Sequence, residues 1–337
     1  MSLSFSEDLR WHRYKGRSVG KASTLGLQPS GAVSFTSNGQ TIQGLHITST
    51  SGNAVTNSGF TDCVLKECKI DFQNGHGVNI GGGSTNFTMT DLDMTRTNST
   101  TGITPLGAEN NCINGTGSTG LVGTRLRFRD SSTGVYLVGC AAPVFSFLEG
   151  YNFRGPFPRG QLLQYDTCNS GIVQDFYCSC DLTNSFPEDN INLYLSSDVI
   201  VRRGLIDGNN SSSGIGVIFE QFGGGVSGGL VEDVDVTHMG NGCFSAYSVG
   251  FDITFRRTRA RDNWGNPSIY GRGNNLSNSL MWASGPGSTG NRILDSYYWN
   301  SVNGNIMWDS STLAVPAEIT QTNYTQRDPV ILTMPWE

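Results

Sequence analysis

The chain has 337 residues with a net charge of −6, only 15% charged residues and 44 glycines. The mild negative balance, without a long basic run, argues against broad nucleic-acid binding. No stretch of about 18 apolar residues offers a membrane span. The N-terminal sequence MSLSFSEDLRWHRYKGR lacks the apolar segment of a secretory signal, and localisation is left open: action on a glycan would require an extracellular or cell-surface setting.

In chain order, residues 1–34 carry Trp11, His12, Arg13, Tyr14, Lys15 and Arg17 and read as an N-terminal cap, with a docking element as the alternative. A short β-branched run then returns again and again. It reads TIQGLHI from Thr41, VLKECKI from Val64, FTMTDLDM from Phe87, LVGTRLRF from Leu121 and VFSFLEGYNF from Val144. It continues as GIVQDFYC from Gly171, VIVRRGLID from Val199, LVEDVDVTH from Leu230, DITFRRTRA from Asp252 and NRILDSYYW from Asn291. Successive starts lie roughly 20 to 40 residues apart, the period of stacked supersecondary units. Such units are too small to bury an apolar face alone and must share a core with their neighbours. Residues 312–337, with Pro316, Pro329 and Pro335, read as a closing arm.

These runs are too short for helices and lack helical spacing. A propeller would need four antiparallel strands per blade and a recurring blade signature. Hairpin dipeptides between paired runs are scarce, which disfavours an antiparallel meander. The prediction is an all-β chain forming one parallel β-helix of about ten coils over 35–311, each coil about 4.8 Å from the next. Cys63, Cys68, Cys140, Cys168, Cys178 and Cys243 lie in or beside the runs and read as small buried hydrophobes. A disulfide involving Cys112 or Cys180 is the alternative; no zinc-type spacing of Cys and His occurs.

A second run in each coil can be aligned: GHGVNI from Gly75, TGVYL from Thr133, GQLLQY from Gly160, DNINLYL from Asp189, GIGVIF from Gly214 and GCFSAY from Gly242. Polar residues precede these strands at His76, Thr133, Arg159, Asp189, Ser213 and Asn241. A second polar column ends the first runs, at Arg96, Arg129, Arg154, Asp207, His238 and Arg261. Stacked coils place equivalent residues about 4.8 Å apart, or about 10 Å on alternate coils. Either spacing suits a carboxylate pair: about 5 Å for a nucleophile with an acid, about 6.5–9.5 Å where a water must fit between. Asp166 and Glu220 end equivalent strands two coils apart, an inverting-type pair.

The candidate catalytic set is therefore Asp166, Glu188, Asp189, Asp207, Glu220 and His238. The candidate substrate-binding set is His76, Arg154, Arg159, Tyr194, Arg202, Arg261 and Trp264, since arginine forks match carboxylates and aromatic rings stack on sugars. Tyr136, Tyr151 and Tyr165 are further stacking candidates. Any one of these has an ordinary alternative, because Asp, Asn and Gly in turns serve their own backbone. In Arg202-Arg203 the two side chains of a strand point to opposite faces, so one needs a carboxylate partner or a turn to escape the core.

Over about residues 35–310 the pattern resembles the right-handed, pectate-lyase-like parallel β-helix. Gly75-His76-Gly77 before Val78-Asn79-Ile80 is similar to the Gly-His-Gly segment of the pectin-degrading hydrolases. Their Asn-Thr-Asp, upstream Asp-Asp and downstream Arg-Ile-Lys do not occur here. The lyase branch implies an Arg or Lys base with calcium held by carboxylates. What the resemblance and the residues imply together is an enzyme cleaving a polysaccharide, an acidic one on the arginine content, by β-elimination or hydrolysis. An epimerase would need the same proton-abstracting groups. The alternative is a non-catalytic glycan-binding or structural β-helix, such as a phage tail or adhesin module, which would form a trimer or another elongated homo-oligomer; otherwise the chain is a monomer or an elongated homo-oligomer.

Overall fold

The computed structural model describes residues 26–220, 226–247, 250–261, 279–283, 289–299 and 319–326. It is a right-handed parallel β-helix. Each coil contributes one long strand and one short strand, and each kind stacks into its own sheet. The long strand Val144–Tyr151 lies between Val122–Arg129 and Ile172–Ser179, in parallel on both sides. The short strand Leu163–Asp166 lies likewise between Val135–Val138 and Ile191–Tyr194. Among the described residues there is no α-helix, and thus none long and apolar enough to cross a membrane.

Alternation along the long strand explains the core. In Val122–Arg129, Leu126 and Phe128 point inward and are fully buried. In register with them come Leu148 and Gly150, then Phe176 and Cys178, then Gly204 and Ile206. Large side chains can follow one another on successive rungs, as Leu126, Leu148 and Phe176 do, but where a ring leans across the next rung that level is left small. Gly204 is such a level: a β-carbon there would lie 2.0 Å from Cζ of Phe176. Tyr165, a stacking candidate in the sequence, belongs to this interior and is 0% exposed, because its strand alternates Leu163 and Tyr165 inward.

The long strand turns a corner at its middle. Glu67, Asp91, Arg125, Phe147, Asp175, Arg203 and Asp233 all have φ between 52° and 55°. Pairing skips this level, passing from Thr124–Ser146 to Leu126–Leu148. The coil therefore has three sides: two half-strands and the short strand. Asp and Asn tolerate the left-handed conformation better than most residues, yet Arg125 and Arg203 occupy it too. Each is held by a two-point ion pair to the preceding coil, Arg125 to Asp91 at 2.8 and 2.7 Å and Arg203 to Asp175 at 2.6 and 2.7 Å. The Arg202-Arg203 problem is solved by this corner. Arg203 escapes the core at the bend, while Arg202 donates to Gln174 at 2.9 Å.

All eight cysteines are free and buried, so the disulfide alternative for Cys112 or Cys180 does not hold. They pack as small apolar side chains facing the core. Pairing already begins at Gln28–Ser30 and Val33–Ser34, which hydrogen-bond to the next coil. Trp11 to Arg17, and the prolines of the C-terminal segment, lie outside the described residues.

The Phe176–Gly204 pairing yields a stability test. Gly204→Ala should cost about 1–3 kcal/mol by overpacking, read from denaturant midpoints. Adding Phe176→Leu to that variant should recover part of the loss, because the smaller side chain makes room. Strict additivity of the two substitutions would show that the ring and the glycine do not share one space.

Candidate active site

Long and short strands are joined by turns of very unequal length, and the longest, over 97–112, 152–162 and 180–190, fall on the central coils. They rise as a wall beside the outward face of the short-strand sheet. On that face period-two alternation presents two columns. One runs Asn79, Asn114, Tyr136, Gln164, Asn192. The other runs Val138, Asp166, Tyr194, Glu220, Tyr247. Asp166 and Glu220 thus stand two rungs apart, about 9.6 Å along the backbone column, with Tyr194 between them.

Behind Glu220 lies a connected acid cluster. Asn192 Nδ2 donates both to Asp189 Oδ2 at 2.6 Å and to Glu220 Oε2 at 2.8 Å. The two carboxylates therefore share one nitrogen. Asp189 Oδ1 also accepts the backbone N–H of Ile215 at 2.7 Å. Glu188, the next residue, accepts from Ser213 Oγ at 2.8 Å and Ser211 Oγ at 3.2 Å. Adjacent in sequence, Glu188 and Asp189 are both buried in the turn before the strand, where extended alternation does not apply.

Burial pushes the Asp189 carboxyl well above the usual carboxylate range, and the nearby charges of Glu188 and Glu220 push it further. Its two hydrogen bonds oppose this without cancelling it. Glu220 is also raised, by desolvation first, with the Asn192 hydrogen bond opposing. Both carboxyls thus keep a proton to higher pH than an ordinary acid would.

Farther along the same wall, Arg159 stacks over the Tyr136 ring at 4.0 Å from its centroid. It pairs with Glu109 at 3.2 Å and donates to Gln164 at 3.1 Å. His76 Nδ1 accepts the backbone N–H of Asn111 at 3.1 Å, which fixes its ring. Burial lowers the His76 pKa, with the charge of Glu109 opposing. So His76, Arg159, Asp166, Tyr194, Glu188, Asp189 and Glu220 come together on one side of the coil stack.

The other predicted residues lie elsewhere. Asp207 and His238 pair with each other at 2.6 Å, but at the ends of the long strands, on the opposite side of the wall. Arg154 is 1% exposed and ties loops together, donating to the carbonyls of Gly102 and Asn184, each at 2.7 Å. That makes it a structural strut, not a ligand contact. Arg202 sits on the first half of a long strand, away from the groove. Arg261 pairs through its backbone with Trp299, and Trp264 lies outside the described residues.

Sequence reading missed Asn192 and Glu109. Asn192 was accessible: in DNINLYL it alternates with Ile191 and Leu193 and must face outward with Tyr194. Glu109 sits in a long loop without periodicity and leaves no such signal. Among the described residues no group of three or more His, Cys, Asp and Glu side chains could hold a metal ion.

No protein-family model and no curated protein matches this sequence. Solved structures do. The catalytic domain of a GH87 α-1,3-glucanase in complex with nigerose aligns at a TM-score of 0.60 and 12% identity, over 89% of this chain and 57% of that one. A rhamnogalacturonan lyase aligns at 0.52 and 11%, over 89% and 78%. The chain thus spans little more than half of the glucanase domain, and at these identities the likeness is one of fold.

The acid cluster carries a linkage prediction. Because the Asp189 carboxyl is raised in the folded state, folding takes up a proton that the unfolded chain releases around pH ~4. The stability this lends is complete below that value and is lost as pH rises towards the folded one. Asp189→Asn removes the titration. It should therefore stabilise the protein relative to wild type at pH 8, by something on the order of 1–3 kcal/mol, and give no such gain at pH 4. Thermal unfolding of both proteins across that range checks it; a difference independent of pH would mean that Asp189 is ionised in the fold.

Proposed function

We propose that the protein is a carbohydrate-active enzyme that hydrolyses a polysaccharide lying along the outward face of the short-strand sheet. The observation that carries this reading is the Asp166–Tyr194–Glu220 column, in which burial raises the proton affinity of the Glu220 carboxyl. In this reading Glu220 is the general acid and gives its proton to the glycosidic oxygen as the bond to the leaving sugar breaks. Asp166 takes a proton from the attacking water. Two rungs separate them, near the upper end of the roughly 6.5–9.5 Å range that admits that water and inverts the anomeric centre.

Asn192 and Asp189 act through Glu220. The amide fixes its carboxyl, and the buried Asp189 carboxyl shares that same amide. Tyr194 lies between the two carboxylates as a stacking surface for the sugar at the cleavage point. Arg159, steadied by Tyr136, Gln164 and Glu109, borders the groove where a neighbouring sugar would lie.

The arginine placement supports hydrolysis over elimination. A uronate lyase needs cationic groups to hold the developing charge at the carboxylate. Arg154 is buried as a strut, Arg202 faces away, and Arg159 is already balanced by Glu109. Carboxylates dominate the groove, so a neutral glycan fits it better than an acidic one.

Screening neutral and acidic polysaccharides, with reducing ends and ultraviolet absorbance of unsaturated ends followed together, should show reducing ends alone. Glu220→Gln and Asp166→Asn should each lower kcat about 10²–10⁴-fold. The wild-type rate should fall on the alkaline side as Glu220 loses its proton, above the usual Glu range, and the anomeric product should be inverted by NMR. Undiminished activity in both variants would remove this pair from the mechanism. Unsaturated products would instead assign the reaction to elimination.

A further inference from the structure

A cavity lies on the far side of the loop wall, at the ends of the long strands. Arg129, Tyr151, Ser179 and Asp207 occupy successive rungs of one outward column. Ser179 is the short member, and a pocket of about 320 Å³ opens there. Tyr151, Asn152, Asp181, Asp207, Gly208 and His238 are among the residues lining it. The volume is at the small end of ligand pockets, about 300–1,000 Å³.

Its two ends differ in chemistry. At one end the Tyr151 ring is held by Arg129, 5.8 Å from its centroid on the rung before, and by the edge of Tyr177 at 5.9 Å. On the Ser179 side the ring borders the pocket. About 9.6 Å farther along the column stands Asp207, with His238 Nδ1 donating to its Oδ1 at 2.6 Å. His238 has a φ of 56°, and Gly208 on the rung before has 96°. A β-carbon on Gly208 would come within 2.2 Å of the Cys180 carbonyl, so this part of the lining must be bare backbone.

These groups select a ligand class. Asp181 and Asp207 would repel an anion such as a uronate or a phosphate. An apolar ligand would strip water from two carboxylates that each have one oxygen bonded within the protein, Asp207 to His238 and Asp181 to Thr183. No group of three His, Cys, Asp and Glu side chains among the described residues could hold a metal here. A polyhydroxylated neutral ring fits these groups: a face of axial C–H bonds would lie on the tyrosine and its hydroxyls would donate to the carboxylate. We propose that this pocket is a saccharide-binding site distinct from the Asp166–Glu220 groove, taking one neutral pyranose ring between Tyr151 and the Asp207–His238 pair.

The ligand class rests on the carbohydrate reading of the groove; the residues are the pocket's own. The two sites are back to back on one turn. Past Gly208, Asn209 Nδ2 donates to the carbonyl of Glu188 at 2.5 Å, and Ser211 donates to the Glu188 carboxylate at 3.2 Å. A glycan anchored at the pocket would therefore be held close to the cleavage groove, an effective-concentration gain without added chemistry.

The chain has four histidines, and two of them report separately: His76 borders the groove and His238 the pocket. Imidazole ¹⁵N–¹H spectra of the full chain would be followed while titrating nigerose, and in parallel glucuronic acid. Nigerose should move the His238 signals, and Ser179→Tyr, which fills the gap, should raise that Kd about tenfold or more without abolishing the His76 response. Tyr151→Leu is the second variant and should weaken the same site if the first does not fold. A silent His238 beside a responding His76 would overturn the pocket and leave the groove reading standing. A His238 response to glucuronic acid alone would overturn the ligand class. Silence at both histidines would overturn both readings.

Discussion

Parallel pairing of one coil on the next, at a single spacing, is the constraint on which the rest of this structure depends. Once Val144 is paired to Val122 and Ile172, every side chain in the strand is stacked on its counterparts about 4.8 Å away. Inside, that spacing makes neighbouring levels share space, so that the Phe176 ring fills the room a side chain at Gly204 would need. At the mid-strand corner it brings like positions together, and a row of acids alone would repel. The Arg–Asp pairs that interrupt the row turn repulsion into attraction between neighbouring coils, although each half-exposed pair contributes only about 0–1 kcal/mol.

On the outward face of the short strands the same spacing sets the side chains of the proposed site. Residues far apart in sequence are set at intervals of one or two rungs, so a carboxylate pair with room for water needs only a choice of coils. Asp166 and Glu220 are placed by that rule, with Tyr194 on the rung between. The environment then differentiates them. Glu220 shares the Asn192 amide with a buried acid and is raised, while Asp166 ends its strand with the Thr167 hydroxyl donating to it at 2.7 Å. In the proposed reaction it is the raised carboxyl of Glu220 that serves as the acid.

The long turns divide the surface. On one side they wall the groove; on the other they leave a pocket where Ser179 shortens a column that Arg129, Tyr151 and Asp207 otherwise fill. Charged residues that look like one central cluster in the sequence are thus separated by a layer of backbone. Asp207 pairs with His238, while Asp189 and Glu220 meet through Asn192. The turn at 208–213 lies between them, tied to Glu188 by Asn209 and the two serines.

How much was legible follows from the range of the forces involved. The recurring apolar runs determined the parallel β-helix, because units of that size bury an apolar face only by stacking. Period-two alternation likewise determined that Asp166, Tyr194 and Glu220 face outward, and the strand ends gave their two-coil spacing. The tertiary structure alone decided that Arg154 is a buried strut, that Arg203 leaves the core at a left-handed corner, and that Tyr165 is interior. It alone brought Glu109 to Arg159 and Asn192 between two acids. Those contacts join residues across turns of irregular length, where no period carries register from one coil to the next, and burial, which sets the proton affinity of Asp189 and Glu220, is a property of the stacked coils and not of any one of them.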